Sequence, residues 1–236
     1  YPIEEALIDR MVLSPKANST ALTIFAIQNS TLQKHIESMH SLRLEPEAIS
    51  SVPAALAALG EYFSPSEKPR FVIHTEAQHS ICGLVHEGKL LASHYLNTGY
   101  LHFINALTED TGISIEEAQE SLEDVLEGKE FSQEKNPNLW ALSKKFDQEA
   151  TRAIQSISIV SGSDTEEQTL LTGEYSFIAL SKKGIEPYHL PEKYKKFAVA
   201  IGLALGHLPN IDSPLNFRQG TFAYPNPWKR VKSKVL

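Results

Sequence analysis

Three strand-like stretches joined by very short connections constrain the fold of this chain more than any other feature. They cover residues 71–75, 80–86 and 89–96. The four-residue loop Glu76–His79 separates the first two, and the dipeptide Glu87-Gly88 separates the last two. Such short connections join antiparallel neighbours, because a parallel pair needs a crossover of roughly a dozen residues or more. We therefore predict a three-stranded antiparallel meander.

Beyond the meander, helix and strand signals alternate. Ser114-Ile115-Glu116-Glu117 has the capping-box pattern of a helix start, and Pro137 begins a long run of apolar residues at helical spacing. The sequence predicts helices over 99–107, 114–126, 137–156, 165–182 and 191–207, and strands over 157–160 and 184–189. An antiparallel opening followed by helical crossovers indicates an α/β fold, in the order of one half of an actin-like (ribonuclease-H-like) domain.

A smaller unit precedes the meander. Residues 7–13 and 20–28 are predicted to form a hairpin with a long loop, followed by a helix that Ser30 or Thr31 caps and by an alanine-rich helix from Val52-Pro53. A proline-rich linker over residues 64–69 follows. We predict three regions: an inserted small α+β subdomain over 1–66, the second half of an incomplete actin-like fold over 67–212, and an extended tail over 213–236.

The composition excludes several classes of protein. Hydrophobic residues make up 42% of the 236 residues, which favours a packed core over disorder, and the net charge of −7 argues against a nucleic-acid partner. The single cysteine, Cys82, rules out an internal disulfide and a thiolate zinc cage. The sequence has no run of 18 apolar residues and no signal-peptide pattern. Because it starts at Tyr1 without a methionine, we interpret it as a soluble piece of something longer.

The sequence lacks the common catalytic and metal-binding motifs. It contains no Walker P-loop, no dinucleotide-binding glycine pattern, no nucleophile elbow and no zinc-protease motif. Five histidines fall between residues 74 and 102, but their spacings of 5, 7, 8 and 8 place no pair on one helical face. The glutamates between 116 and 124 have the spacing of a solvated helix face rather than of paired catalytic carboxylates. We therefore predict no metal, no cofactor and no catalytic residue.

The end of the chain is basic although its body is acidic. Four of the six residues from Lys229 to Lys234 are Lys or Arg, and they follow Pro225, Pro227 and Trp228. One interpretation is a solubilising charged end. We favour the other, a juxtamembrane stretch that meets anionic lipid headgroups and leads into a membrane helix deleted after Leu236.

Several of these segments resemble the PilM/GspL family, the actin-like cytoplasmic platform proteins of type IV pili and bacterial type II secretion. The most specific match is Phe197–Leu205, and the segments Tyr1–Asp9, Glu87–Leu90 and Ser114–Ala118 are also similar to the family. Within Phe197–Leu205, Gly202 belongs to a series of small residues at every fourth position. This spacing predicts that the helix backbone packs closely against the sheet.

The resemblance also places the nucleotide loops of an actin-like fold, and there the residues depart from the family pattern. The first phosphate loop would precede Tyr1. In the second, His74 stands in place of an aspartate and Glu76 in place of a glycine, while the adenosine loop keeps one glycine of two. A glutamate adds negative charge beside a phosphate, and its Cβ obstructs the backbone N–H groups. We interpret these positions as degenerate nucleotide loops and expect no ATP hydrolysis; they are His74, Glu76, Ser80, Gly99 and Gly162.

The segment Asn216–Phe222 resembles the stretch that precedes the membrane helix in GspL-like proteins and that belongs to a separate protein, PilN, in pilus systems. At strand period Leu215 and Phe217 point to one side, so we expect them in an apolar groove, with the amide of Asn216 satisfying backbone groups. We predict that Leu215, Asn216, Phe217 and Arg218 form the peptide or platform contact.

The resemblance thus implies an adaptor rather than an enzyme. We expect a GspL-like domain on the cytoplasmic face of the bacterial inner membrane, where it recruits the assembly ATPase and other platform proteins. A homodimer is compatible with this role. Three alternatives stay open. One is a PilM-like pilus platform protein, another is an actin-like ATPase that keeps its chemistry in unusual residues, and the third is a generic actin-like fold outside secretion.

Overall fold

The computed structural model describes residues 2–16, 19–128, 131–161, 165, 168–176, 186–208 and 214–225. The strands are β1 Ala6–Lys16, β2 Ser19–Gln28, β3 Arg70–Thr75, β4 Ser80–His86, β5 Lys89–Leu96, β6 Gln168–Thr172 and β7 Glu186–His189. The helices are α1 Asn29–Ser41, α2 Val52–Phe63, α3 Tyr100–Thr111, α4 Ile115–Glu127, α5 Pro137–Ser161, α6 Glu192–Lys195 and α7 Ala198–Leu205, with 3₁₀ turns at Ile3–Glu5 and Gly220–Phe222. Among the described helices, none combines the length and the hydrophobicity that a membrane span requires.

Strands β3 to β7 form one mixed sheet in the order β5-β4-β3-β6-β7. The predicted meander is confirmed, because β3 pairs antiparallel with β4 and β4 with β5. Glu87 and Gly88 both have positive φ, 49° and 71°, as a tight two-residue hairpin turn requires. Strand β6 pairs in parallel with β3, and β7 pairs in parallel with β6. The α/β class is confirmed.

Helices cover both faces of this sheet, because the central strands carry apolar residues on alternate sides. On one face Phe71 and Ile73 pack against α3, α4 and α5; the helical residues there include Phe103, Leu107, Leu122, Leu139 and Phe146. On the other face Val72 packs against α2 and α7; the helical residues there include Leu56, Leu59 and Ala198. A parallel sheet edge with helical crossovers is normally buried in this way. Helix α2 belongs to the predicted subdomain over 1–66, yet it packs on the sheet of the following region. The domain boundary at residue 66 therefore stays a prediction.

The hairpin β1–β2 forms a separate two-stranded sheet, which contacts the edge strand β5 through hydrogen bonds such as Thr23 Oγ1 to the Leu90 carbonyl and packs its inner side on α1. Leu7, Phe25 and Ile27 adjoin a cluster that contains the fully buried Leu32. Two local predictions about this unit are wrong. The strands run on to Lys16 and resume at Ser19, which leaves no long loop, and the N-cap of α1 is Gln28, which makes no side-chain capping bond. Regular pairing of the two strands, broken by one bulge after Val12, overrides the turn signal of the serines and proline.

The region after residue 156 also differs from the prediction. Residues 157–160 continue α5 instead of forming a strand, because Ile154 and Ile157 are buried on one face of the helix. Strand β6 lies inside the predicted helix 165–182, and its last four residues are all buried. A central strand has packing partners on both faces, which a surface helix lacks, so tertiary context decides this element. The rest of that predicted helix, from residue 177, lies outside the described residues.

The last predicted helix, over 191–207, is split into α6 and α7, and α7 crosses α2 at Gly202. A Cβ on Gly202 would lie 2.7 Å from the carbonyl carbon of Ala55 and closer still to its oxygen. Only a glycine permits this approach. The close packing is therefore confirmed, but its partner is a helix rather than the sheet.

Candidate functional site

The turn between β3 and β4, where the second phosphate loop is predicted, is closed by hydrogen bonds from its own neighbourhood. The N–H of Glu76 donates to the carbonyl of His79 at 2.9 Å. The first N–H groups of α3 donate into the same turn: Tyr100 to the Glu76 carbonyl at 2.9 Å, and Leu101 to the Ala77 carbonyl at 3.0 Å. A helix N-terminus binds anions through free N–H groups, and here two of them are already used.

Gly99 and Ser80 fasten α3 to this turn. A Cβ on Gly99 would lie 2.5 Å from the His79 nitrogen and 2.6 Å from the Ala77 oxygen, so the glycine serves an approach of the chain to itself. Ser80 is fully buried, and its hydroxyl donates to the carbonyl of Thr98 at 2.7 Å. Both predicted loop positions therefore take part in internal packing.

His74 and Glu76 face each other beside the same turn. His74 Nδ1 lies 2.8 Å from the hydroxyl of Thr172 in β6. Burial, with a smaller contribution from His79, lowers the pKa of His74 to about 4, so the ring is neutral at pH 7. The Glu76 carboxylate lies 3.7 Å from His74 Nε2 and 2.9 Å from His79 Nε2. A neutral imidazole ring offers no positive charge to a phosphate group, and a carboxylate repels it.

The glycine that follows the strand beside β3 is Gly173 rather than Gly162. The resemblance assigns Gly162 to the adenosine loop, but α5 occupies residues 157–160, where a strand is predicted before that loop, and Gly162 itself lies outside the described residues. Gly173 follows β6 with a φ of 101°, and a Cβ there would lie 2.5 Å from the Thr75 carbonyl oxygen. The ends of β3 and β6 are thus pressed together. Among the described residues, no group of three His, Cys, Asp or Glu side chains is arranged to hold a metal ion.

The second candidate site is a groove that holds residues 214–222, here called the tail segment. It is bounded by α1, by residues 45–49 and by the start of α2. Leu215 and Phe217, each only 3% exposed, pack with Leu32, Ile36 and Ala54. The predicted placement of both side chains in an apolar groove is confirmed. Their role as a platform contact stays a prediction.

Backbone hydrogen bonds at Ile49 fix the register of the tail segment. The N–H of Phe217 donates to the Ile49 carbonyl at 2.7 Å, and the Ile49 N–H donates to Asn216 Oδ1 at 3.0 Å. The same oxygen accepts the N–H of Arg218 at 2.9 Å, while the N–H of Asn216 donates to Asp9 Oδ2 at 2.8 Å. The Asn216 amide therefore satisfies backbone groups, as predicted.

Arg218 adds a buried charge to this groove. Its Nη2 donates to Glu45 Oε1 at 2.7 Å, and the other oxygen of Glu45 lies 2.6 Å from His40 Nε2. The guanidinium also lies 5.9 Å from the ring centroid of Tyr224. A buried arginine costs desolvation energy unless it is paired, so Glu45 is what makes the position of Arg218 tolerable.

The partners of the tail segment, Asp9, Glu45 and Ile49, were missing from the sequence-based prediction. Asp9 ends a segment that resembles the family, but nothing in that segment predicts a contact with Asn216. Glu45 and Ile49 stand in no motif, and Ile49 lies 167 positions from Asn216. The tail segment carries a period-2 signal, but nothing local marks the residues that receive it. The basic stretch from Lys229 to Lys234 lies outside the described residues.

Comparison with known proteins identifies the fold. No family model matches the chain, and no curated protein matches it significantly. The chain is similar to a solved structure described as a PilM-PilN type IV pilus biogenesis complex, with a TM-score of 0.60 and 18% identity, over 87% of this chain and 67% of that one. It is also similar to MreB 5 of Spiroplasma citri bound to AMPPNP, with a TM-score of 0.52 and 11% identity, over 76% of this chain and 65% of that one. The fold is therefore actin-like, as the element order predicts, and the chain spans about two thirds of these solved chains.

Proposed function

We propose that this chain is a non-enzymatic adaptor domain of a bacterial inner-membrane platform, of the GspL-like kind found in type II secretion. In this role it stands on the cytoplasmic face of the membrane, recruits the assembly ATPase and contacts other platform proteins. The likeness to a chain of the PilM-PilN complex supports a platform protein at the level of the fold.

The observation that carries the proposal is the anchoring of the tail segment. An adaptor at a membrane has to keep a set orientation toward its partners, and an end held at several points does this better than a flexible linker. Three kinds of contact hold the segment: two buried apolar side chains, the backbone bonds at Ile49, and the Arg218–Glu45 pair.

The closed turn supports a role without nucleotide chemistry. Phosphate binding in an actin-like fold requires backbone N–H groups that are free to point at the ligand. In this turn the N–H groups of Glu76, Tyr100 and Leu101 donate to protein carbonyls. Opening them to an anion would break three internal hydrogen bonds and place the phosphate beside the Glu76 carboxylate.

The test is a titration of the purified chain with a fluorescent ATP analogue and Mg²⁺, together with sedimentation of the chain with the type II secretion ATPase of its host. We expect no saturable nucleotide binding and a stable complex with the ATPase. Saturable binding with turnover that His74→Ala abolishes would support the ATPase alternative instead. Absence of a complex with the ATPase would contradict the adaptor role.

A double variant tests which feature of the turn prevents nucleotide binding. The double substitution His74→Asp and Glu76→Gly supplies the two residue types that the resemblance expects in a phosphate loop. Because the α3 N–H groups remain occupied, we expect this variant also to leave nucleotide unbound. If it binds Mg²⁺ and ATP, residue identity rather than closure of the turn is what prevents binding in the parent chain.

A PilM-like pilus platform protein is the second candidate, favoured by the structural likeness to a PilM-PilN complex. The two candidates differ in the origin of the segment that fills the groove. In the GspL-like case the tail segment of the same chain stays bound in the assembled platform. In the PilM-like case a peptide from a separate protein displaces it, which cross-linking from the groove residue Ile49 in host membranes would distinguish.

A further inference from the structure

The hairpin β1–β2 leaves one edge of each strand free, because the two strands form a sheet of their own. Among the described residues, the backbone N–H and C=O groups of residues 19–27 form hydrogen bonds with β1 alone. Unpaired backbone groups along a strand recruit further strands, and natural proteins prevent this with charges, prolines, bulges or a covering segment. An edge without such protection is therefore a template for strand pairing.

The free edge of β1 is protected. Asp9 and Arg10 lie in the middle of the strand, and a bulge breaks its register after Val12. The carbonyl of Leu13 accepts a hydrogen bond from Lys89 Nζ at 3.1 Å. Charges, a bulge and an occupied carbonyl all hinder pairing with a further strand.

The free edge of β2 has no such protection within the strand. Its ten residues, Ser19–Gln28, include no charge, proline or glycine, and half of them are β-branched or aromatic. Leu22 and Ile24 are exposed on the outer side of the hairpin, and Ile24 is 66% exposed. Of the described strands at a sheet edge, which are β1, β2, β5 and β7, only β2 carries no charged residue. The edge of β2 is therefore where another strand can pair.

A second copy of β2 is the strand that fits this edge. A charged partner strand would meet no opposite charge on β2, so an uncharged partner matches it. Antiparallel pairing about a two-fold axis at Ile24, near the middle of the strand, places Ile24 opposite its own copy. Leu22 then lies opposite Ala26, and Thr23 lies opposite Phe25. These pairs match a large side chain with a small one and a β-branched side chain with an aromatic one, as stable strand pairs do.

We propose that two copies of this protein associate through β2, in antiparallel pairing about a two-fold axis at Ile24, and merge their hairpins into one sheet. The pairing uses backbone groups that the single copy leaves unbonded, and it brings the exposed Ile24 side chains of both copies into contact. Helix α1 and the tail segment cluster with the inner side of the hairpin, so the free edge is separate from the groove. The proposal therefore does not depend on the adaptor function.

Sedimentation equilibrium of the purified protein tests this pairing through charges placed at the axis. Ile24→Lys puts two ammonium groups opposite each other, and Ile24→Glu puts two carboxylates there. Ile8→Lys is the matched control, because Ile8 is 46% exposed and stands on the same outer side but belongs to β1. Circular dichroism verifies that each variant keeps the fold.

We expect the wild type and Ile8→Lys to form dimers with similar dissociation constants. Each Ile24 variant alone should dimerise at least about tenfold more weakly, because like charges directly opposite each other destabilise a strand pair. An equimolar mixture of Ile24→Lys and Ile24→Glu should dimerise again, because the axis then brings opposite charges together. This recovery is specific to a contact that residue 24 makes with its own copy.

Three results would overturn the proposal. The first is a wild type that stays monomeric up to near-millimolar concentration, which would leave the edge of β2 to another part of the chain or to a different protein. The second is equal weakening by Ile8→Lys and Ile24→Lys, which would indicate packing between the outer sides of two hairpins. The third is the absence of recovery in the mixture, which would exclude a two-fold contact at Ile24.

Discussion

The closed turn at Glu76–His79 and the groove that holds the tail segment are built from the same kind of interaction and lead to opposite functional conclusions. In the turn, backbone donors bond to carbonyls within about one supersecondary unit, such as Tyr100 to Glu76. In the groove, the bonds at Ile49 join residues 167 and 168 positions apart in the chain. The closure occupies the N–H groups of Glu76, Tyr100 and Leu101 with protein carbonyls, whereas the tail segment packs on α1 and α2 outside the sheet and can be released while the rest of the fold persists.

The largest expected effect is the release of the tail segment by Phe217→Ala. Removal of a fully buried phenyl ring typically costs about 3–5 kcal/mol, and the loss here falls mainly on the attachment of residues 214–222. We expect fast hydrogen exchange across this segment with little change in the unfolding of the sheet. Phe222→Ala, at the partly buried edge of the same cluster, should have a smaller effect. Unchanged exchange in Phe217→Ala would mean that the groove does not hold the segment.

In the closed turn, by contrast, we expect Gly99→Ala to lower the stability of the whole domain. The added methyl group would meet the His79 nitrogen and the Ala77 oxygen at 2.5 and 2.6 Å, and such overpacking costs about 3 kcal/mol at its upper end. Denaturant unfolding of the whole domain measures this loss. Gly206→Ala is the control, since its Cβ would lie 3.3 Å from the Gly202 carbonyl oxygen and 3.6 Å from Ala58 Cβ, which requires a far smaller shift than the contacts at Gly99. Equal stability of the two variants would contradict the closed turn.

The buried His74 beside the closed turn predicts a pH dependence of stability. Its pKa is about 4 in the folded protein and about 6.5 when unfolded, so the unfolded state binds the additional proton between these values. The stability of the protein is complete above pH 6.5 and falls as the pH drops toward 4, by up to about 3 kcal/mol. His74→Gln should flatten this part of the profile, and His35→Gln, on the exposed side of α1, should not. Parallel profiles for wild type and His74→Gln would refute the assignment.

The smallest expected effect concerns the charge in the groove. Glu45→Gln keeps the shape of the side chain but removes the charge that pairs with Arg218, and Glu45 is about a third exposed, so we expect a cost of about 1 kcal/mol. Hydrogen exchange at residues 216–219 should rise slightly. His40→Gln removes only the exposed contact of Glu45 and should leave that exchange unchanged. A larger effect of His40→Gln would show that the outer pair, not the buried one, holds the segment.

The sequence alone predicted the features that depend on residues close to one another in the chain. The meander followed from two connections too short for a crossover, and the capping box at Ser114 marks the start of α4, where the Glu117 carboxylate accepts the Ser114 N–H at 3.0 Å. The burial of Leu215 and Phe217 followed from the two-residue period of an extended chain.

What required the folded chain were the elements whose surroundings outweigh their own residue preferences. Residues 157–160 include β-branched side chains but stay helical, because α5 packs on the sheet. Residues 168–172 form a strand, because they pair in parallel with the free edge of β3. Gly173, Ile49 and Glu45 acquire their roles only from chain segments far away in sequence. Local propensities are worth tenths of a kcal/mol to about 1 kcal/mol per residue, and burial against a distant surface outweighs them.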